Sequence, residues 1–325
     1  MKKLLSCLCA LAMCVGLVGC SSSSSDSSSD EKVYEVGVIQ LVQHVALDAA
    51  TEGFTAALKD ELGDKVNVTV KNASGESSNC ITIAGDFVSS NVDLIMANAT
   101  ASLQAAASAT DTIPVVGTSI TDYATALGIA DFTGTVGTNV TGATDLAPLA
   151  EQAAMVKELF PDAKTVGVLF CRNEPNSQYQ ADVIKTELEA LGYTVEFFTF
   201  SDTNDVTSVA EAAASASDVI YIPTDNTAAS NTEAIANVVL SDAYLTPVVA
   251  GEEGIASGCG VATLSISYYD MGYSAGKLAA QILTGEVKAS EAPIVSVDKV
   301  TKEYVPANAE KLGVTIPADY TAIEG

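Results

Sequence analysis

Short apolar runs alternate with longer amphipathic stretches from Tyr34 onward, and this alternation predicts the fold class. Residues 36–39 are apolar and mostly β-branched, which favours a strand, whereas residues 47–62 place apolar side chains every three or four positions, which favours a helix. Further strands are predicted at 66–70, 92–97 and 113–117, with one helix capped at Ser77 or Ser78 and another from Leu103. Such alternating units form a parallel sheet with helices on both faces.

The same series of strands then repeats in the second half of the chain. The matching pairs are 36–38 with 164–169, 92–95 with 217–220, and 113–116 with 246–249. One intervening helix is predicted to be capped at Ser177 and to end at Gly192, and another to open with the capping box Ser230-Asn-Thr-Glu233. Three pairs in the same order predict an α/β protein with two similar lobes.

The repeat also predicts which loops face each other across a cleft. In open parallel sheets, ligands bind beyond the carboxyl ends of the strands. The loops at those ends are polar in both lobes. They are 40–48, 98–102 and 118–123 in the first lobe, and 171–177, 224–227 and 251–253 in the second.

The amino terminus indicates export and anchoring. Residues 1–19 combine a basic start with an apolar run too short to span a bilayer, which is typical of a signal peptide. The small residues before Cys20 resemble a bacterial lipobox, which implies a lipidated cysteine, although an ordinary secretory signal is the alternative. Residues 20–32 are then expected to form a serine-rich tether to the membrane.

Charge and cysteine content exclude several classes of function. A formal net charge of −26 argues against a nucleic-acid partner. The cysteines after the anchor, Cys80, Cys171 and Cys259, have no metal-like spacing, and we expect no disulfide. The segment 272–277 is one residue short of a P-loop, and the single histidine has no cysteine beside it. We therefore expect no cofactor, no metal and no enzymatic activity.

Five segments resemble the tryptophan/tyrosine-type substrate-binding lipoproteins of ABC transporters. The matching segments are 36–40 with His44 and Asp48, 139–142, 222–226, 266–272 and 306–314. The resemblance implies the type I periplasmic-binding-protein fold, in which three strands cross a hinge between Rossmann-like lobes. The crossings are expected near 144–148, near 265–268 and after Ile294. Lobe 1 would comprise 33–145 plus 268–293, and lobe 2 would comprise 146–265 plus 294–325.

The resemblance also implies a function. It predicts an extracytoplasmic protein, held at the cell membrane by Cys20, that delivers a small molecule to the permease and ATPase subunits of an importer. The implied ligand is an amino acid, with aromatic amino acids prominent. The alternatives are a ligand-sensing binding protein and a binder of nucleosides or other small solutes.

The candidate site residues follow from the chemistry of a zwitterion, which needs a carboxylate for its ammonium group and N–H or hydroxyl donors for its carboxylate. Asp225 is the first candidate for the ammonium group, with a helix cap as its alternative role, and Glu252 is the second. Thr100, Ser119 and Thr121 are candidates for the ligand carboxylate or for helix caps. His44 is expected to bind the ligand or a neighbouring loop. The other candidates are Gln40, Asp122, Asn173, Glu174, Asn176, Ser177 and Asn226.

Overall fold

The computed structural model describes residues 32–297 and 299–323. The predicted signal peptide, Cys20 and nearly all of the predicted tether lie outside these residues. Within the described part of the chain, no helix is both long and apolar enough to cross a membrane.

The first part of the chain forms alternating strands and helices. They are β1 (Tyr34–Gln40), α1 (Val45–Leu62), β2 (Val66–Asn72), α2 (Ser77–Ser89), β3 (Leu94–Asn98), α3 (Thr100–Ala109), β4 (Val115–Ile120), α4 (Tyr123–Leu127) and β5 (Val140–Thr144). A short 3-10 helix, Gly63–Lys65, links α1 to β2.

The rest of the chain repeats the pattern and ends in short elements. They are α5 (Leu149–Leu159), β6 (Thr165–Cys171), α6 (Pro175–Ala190), β7 (Thr194–Phe200), α7 (Val206–Ala216), β8 (Val219–Ile222), α8 (Asn226–Ala229), α9 (Thr232–Val239), β9 (Val248–Ala250), α10 (Glu253–Cys259), β10 (Ala262–Ile266), α11 (Tyr268–Thr284), β11 (Val295–Ser296), β12 (Val300–Tyr304), α12 (Pro306–Leu312) and β13 (Thr321–Ala322).

The strands form two sheets with the same internal order, which confirms the predicted repeat. The first sheet runs β11-β5-β4-β3-β1-β2 and the second runs β13-β12-β10-β9-β8-β6-β7. The strands of the first sheet are parallel, whereas β12 runs antiparallel to β10 at one side of the second. The repeat extends to single hydrogen bonds. Asp93 accepts from the Glu35 amide at the start of β1, and Asp218 accepts from the Thr165 amide at the start of β6.

Each sheet has a hydrophobic core on both faces, so each lobe is a three-layer unit. We call the first sheet with its helices lobe 1 and the second sheet with its helices lobe 2. The central strands are almost wholly buried, as the apolar runs predicted. Helix α11 comes late in the chain but packs against α1 and the first sheet, so its core belongs to lobe 1.

Three segments connect the lobes. The first follows β5, the second joins β10 to α11, and the third lies between residues 296 and 300. The expected boundary, which assigned residues from 294 onward to lobe 2, differs from this arrangement. Val295 and Ser296 pair with Ala143 and Thr144, so this short strand extends the first sheet before the chain leaves lobe 1.

Several predicted helix caps are wrong. Helix α6 begins two residues before Ser177, at Pro175, because proline is well suited to the first helical turn. The predicted capping box at Ser230 is split between α8 and α9, and Asn231 precedes α9 without a side-chain cap. Helix α2 begins at Ser77 after Glu76, also without a side-chain cap.

Candidate functional site

A small cavity lies where the carboxyl ends of the strands of the two lobes meet. It contains about 280 Å³ of empty space, including the part open to solvent. In this closed form the cavity itself has a volume of about 10 Å³, close to what a single water molecule needs, so a larger ligand requires the lobes to part. Its lining residues are His44, Ala46, Leu47, Ser119, Thr121, Asp145, Asn176, Thr224, Asp225, Asn226, Ala229, Glu252 and Tyr268.

The structure brings seven of the predicted site residues to this cavity. These are His44, Ser119, Thr121, Asn176, Asp225, Asn226 and Glu252. The other six do not line it. Gln40 donates to Asp48, Asp122 caps α4, and Asn173 donates to the Ser201 carbonyl. Thr100 begins α3 and Ser177 lies buried in α6.

Glu174, the sixth of these residues, positions a neighbouring loop. Its Oε1 accepts hydrogen bonds from the backbone and hydroxyl of Thr227, both at 2.8 Å. Its Oε2 accepts from the Asn226 backbone at 2.9 Å and from the Asn226 side-chain amide at 2.7 Å. Glu174 therefore fixes the orientation of Asn226, which does line the cavity.

Two of the lining carboxylates are helix caps. Asp225 Oδ1 accepts from the Ala228 amide at 2.7 Å and Oδ2 accepts from the Cys171 amide at 2.6 Å. Glu252 accepts from the Gly254 and Ile255 amides, both at 2.6 Å, at the start of α10. The alternative role considered for Asp225, a helix cap, is thus present in the structure.

A third lining carboxylate, Asp145, lies on the first connection between the lobes. It is 4% exposed. Its Oδ2 accepts from the Tyr268 hydroxyl at 2.9 Å, and its amide donates to the Ile120 carbonyl at 3.2 Å. Tyr268 is the first residue of α11, directly after the second connection. The bond therefore ties two of the three crossing segments together beside the cavity.

The candidate site residues chosen from the sequence did not include Asp145 or Thr224. Asp145 lies in a segment without strand or helix pattern, and its partner is 123 positions away in the chain. The only signal was its position in the predicted first crossing. Thr224 immediately precedes Asp225 and lies in the predicted cleft loop 224–227, and this position was an available signal.

Ser119 adopts a backbone conformation that side chains rarely take. Its φ is +56°, and the pairing of β4 with β5 is irregular between Gly117 and Ile120. Its hydroxyl donates to Asn98 Oδ1 at 2.8 Å, and Asn98 in turn donates to the Leu47 carbonyl at 2.8 Å. This strained turn at the end of a strand faces the cavity, and such strain clusters at functional sites.

The lobes touch each other across the cleft. His44 Nε2 lies 3.3 Å from Asn226 Oδ1. The hydroxyls of Thr121 and Thr224 lie 3.4 Å apart, and Gln180 Nε2 donates to both, at 3.3 Å and 2.5 Å respectively. The contacts of His44 with Asn226, and of Thr121 with Thr224 and Gln180, join lobe 1 to lobe 2, so the structure is a closed form.

The cavity is acidic and its lining contains neither lysine nor arginine. Burial raises the pKa of Asp145 and of Asp225, and it raises the pKa of Glu252 to about 7. Burial also lowers the pKa of His44, which favours the neutral ring. Within the described residues, no three metal-ligating side chains are grouped to hold a metal ion.

The chain matches proteins of known function over most of its length. The family model described as ABC transporter substrate binding protein matches residues 35–322. A tyrosine-binding protein of Clostridioides difficile is 33% identical over 309 residues, covering 92% of this chain and 88% of the relative.

Solved structures agree on the fold. An ABC domain of Streptococcus pneumonia in complex with L-Trp is 31% identical with a TM-score of 0.84, covering 88% of this chain and 97% of that one. A conserved domain protein of Vibrio cholerae is 32% identical, with a TM-score of 0.84 and coverage of 90% and 99%.

A third solved structure is the ligand-free, open form of a substrate-binding protein from Clostridium difficile. It is 31% identical, covers 90% of this chain and 99% of its own, and has a TM-score of 0.68. Its TM-score is lower than that of the L-Trp complex, although identity and coverage are nearly the same, and it is described as open. This agrees with the hydrogen bonds across the cleft. The closed two-lobed fold and the match over residues 35–322 establish that the chain belongs to the ABC transporter substrate-binding protein family.

Proposed function

We propose that this substrate-binding protein captures an amino acid, most simply an aromatic one, in the cleft between its lobes and delivers it to an ABC importer. Members of the family act outside the cytoplasm. There the protein would hand its ligand to the permease of the importer, which works together with the ATPase subunits. The amino-acid ligand is supported by the relatives, whose names specify tyrosine and L-Trp.

The charge of the cavity is the observation that carries this proposal. Three carboxylates line it, burial lowers the pKa of its one histidine, and its lining has no lysine or arginine. A buried carboxylate is stabilised by a cation placed against it. A ligand with an ammonium group supplies that cation, whereas an anionic ligand would be repelled.

The apolar part of the lining suits a hydrophobic ligand side chain. Ala46, Leu47, Ala229 and Tyr268 contribute to the same cavity as the acids. Tyr268 is the aromatic residue of the lining and can stack on a planar ring. An aromatic amino acid has both parts, a charged end and a flat apolar ring.

A ligand screen tests the proposed function. The purified protein is heated with each of the twenty amino acids and with nucleosides, and the melting temperature is compared with that of the protein alone. A ligand at 100 times its dissociation constant should add about 2.7 kcal/mol of stability. We expect the largest shift with L-tryptophan or L-tyrosine. A shift with nucleosides alone, or with no amino acid, contradicts the proposal.

Lipid anchoring through Cys20 is a separate part of the proposal. It rests on the apolar run before Cys20 and the serine-rich segment after it, which would let a membrane-held domain rotate freely. Cys20→Ser should abolish fatty-acid labelling and release the protein from membranes while leaving ligand binding unchanged. Labelling that persists in this variant contradicts the anchor.

A further inference from the structure

Two buried hydrogen-bond acceptors face the cavity without a donor. Asp145 Oδ1 and His44 Nδ1 are buried and form no hydrogen bond within the described part of the chain, and both residues line the cavity. Two other buried side-chain atoms share this property, Ser217 Oγ and Thr263 Oγ1, but neither residue lines the cavity. Because an unpaired buried polar atom is unfavourable, the two acceptors in the cavity point to donors on the ligand.

The hydrogen-bond network fixes His44 Nδ1 as an acceptor. An ionised Glu174 can only accept, so the side-chain group of Asn226 that faces it must be the NH₂ group. The oxygen of Asn226 therefore faces His44, and His44 Nε2 must carry the proton that it donates. In a neutral ring, the other nitrogen then has a lone pair and no proton.

Asp145 differs from the other two carboxylates of the cavity. Each oxygen of Asp225 and of Glu252 accepts a backbone N–H at the start of a helix or loop. Asp145 Oδ2 accepts from Tyr268, whereas its Oδ1 is unpaired. The nearby Thr121 hydroxyl partly offsets the rise in the pKa of Asp145. It forms no hydrogen bond of normal geometry to Asp145 Oδ1. Of the three carboxylates, Asp145 is thus the one with an oxygen still available to accept a hydrogen bond from a ligand.

Donors for the other end of a zwitterion lie next to His44. His44 is the residue before α1, an 18-residue helix whose first turn has no side-chain cap. The first amides of a helix have no intrahelical partner, and the positive end of the helix dipole favours an anion there. Ala46 and Leu47 in this turn line the cavity. In an amino acid, the carboxylate and the ammonium group are attached to the same carbon atom. The carboxylate could therefore contact the first turn of α1 while the ammonium group contacts the neighbouring His44 and Asp145.

We propose that Asp145 Oδ1 and His44 Nδ1 together bind the ligand's ammonium group, while the first-turn amides of α1 bind its carboxylate. This inference rests on the proposed amino-acid function and assigns its recognition to the hinge and to lobe 1. It replaces Asp225 as the expected anchor of the ammonium group. Because Asp145 lies on a connection between the lobes, it can hold the ligand before lobe 2 closes over it.

The test combines variants with ligand analogues that each lack one charge. Calorimetric titration of the wild type and Asp145→Asn uses L-tyrosine, tyramine and 3-(4-hydroxyphenyl)propanoate. Asp145→Asn should weaken L-tyrosine binding by about 30-fold or more, because it removes the charge opposite the ammonium group. It should leave binding of the propanoate, which has no ammonium group, within about threefold. His44→Ala should weaken L-tyrosine by about tenfold, again with little effect on the propanoate.

Two controls separate binding from structure. Tyr268→Phe removes the donor to Asp145 Oδ2 and keeps both the ring and the carboxylate, so it should weaken L-tyrosine less than Asp145→Asn does and leave the propanoate within about threefold. Asp225→Asn should lower the melting temperature, because Asp225 caps α8, without changing the ratio of affinities for the two ligands. If Asp145→Asn does not fold, the His44→Ala titration gives the same comparison.

The outcomes are distinct. If the wild type binds none of the amino acids, the proposed function fails and the inference fails with it. If the wild type binds L-tyrosine and both Asp145→Asn and His44→Ala bind it within threefold, the inference alone is overturned. If Asp225→Asn loses binding of L-tyrosine but keeps binding of the propanoate, then Asp225, and not Asp145, binds the ammonium group.

Discussion

The acidic side chains of the cleft differ in what their oxygens touch. Asp225 and Glu252 cap helices through backbone amides, whereas Asp145 has a hydroxyl on one oxygen and an unpaired second oxygen. Burial raises the pKa of all three, and to about 7 for Glu252, so part of the Glu252 population is protonated at neutral pH when the cleft is closed. An ammonium ligand favours their ionised forms, and its binding should release protons.

Glu252 should make the stability of the protein depend on pH. Its pKa is raised from 4.5 to about 7 by burial, so the folded state binds more protons than the unfolded state between these values. The free energy of unfolding that Glu252 contributes is therefore greatest below about pH 4.5 and falls as the pH rises through about 7. Relative to Glu252→Gln, the free energy of unfolding of the wild type should fall by up to about 3 kcal/mol over this pH range.

Urea unfolding at several pH values checks this expectation. The control is Glu211→Gln, which changes an exposed glutamate on α7 and should give a profile parallel to that of the wild type. If the difference between Glu252→Gln and the wild type stays constant from pH 4.5 to 8, Glu252 does not titrate in this range.

The sequence predicted the places of the site better than the roles of its residues. Loops at strand ends follow from periodicity, and the predicted loops contain ten of the thirteen residues that line the cavity. The role of each carboxylate depends on which amides and hydroxyls donate hydrogen bonds to it, and these come from distant parts of the chain. Asp225 and its donor Cys171, for example, are 54 residues apart. Asp145 could not be selected without knowing that Tyr268 reaches it. Local patterns do not encode such pairings.

At the scale of elements, the approach of α1 to α11 depends on glycine. A β-carbon on Gly272 would lie 2.1 Å from the Ala50 carbonyl oxygen, and one on Gly53 would lie 2.1 Å from the Tyr269 carbonyl oxygen. These distances are far below normal contact, so the two helix backbones pack directly against each other. The periodicity of both helices was readable from the sequence, whereas this contact required the structure.

Two glycine-to-alanine substitutions inside helices should have opposite effects. Gly272→Ala should lower the free energy of unfolding by about 1–3 kcal/mol, because α11 must move away from α1. Gly85→Ala, in the exposed middle of α2, meets no atom within 4 Å and should raise it by about 0.5–1 kcal/mol. Chemical denaturation of both variants provides the comparison. Equal stabilisation by both would show that α1 and α11 are not in close contact.

At the scale of the whole molecule, few bonds hold the two lobes closed. Gln180 is buried on α6 of lobe 2 and donates to Thr121 of lobe 1. Thr121 also lies beside Thr224, and His44 lies beside Asn226. Because these contacts are lost when the lobes part, they add to the affinity for a ligand that binds the closed form better.

Gln180→Ala should shift the protein toward the open form. The radius of gyration of the ligand-free variant, measured by small-angle X-ray scattering, should exceed that of the wild type. Affinity for L-tryptophan or L-tyrosine should fall by up to about tenfold, as expected for the loss of one or two neutral hydrogen bonds. Gln178→Ala is the matched control, since the Gln178 side chain on the same helix donates to Asp182, within lobe 2. Identical scattering from both variants would mean that Gln180 does not stabilise closure.

Helix α11 completes lobe 1 late in the chain, and this has a consequence for the order in which the two lobes fold. The strands from β6 to β10 are continuous in the chain, so lobe 2 can assemble most of its sheet from local units. Lobe 1 instead waits for α11, in which Tyr269 meets Gly53 across 216 positions of sequence. Contacts so distant in sequence form slowly, because the long intervening loop must close first. During export, when the amino terminus emerges first, we expect the earlier half of the chain to be the last to reach its native packing.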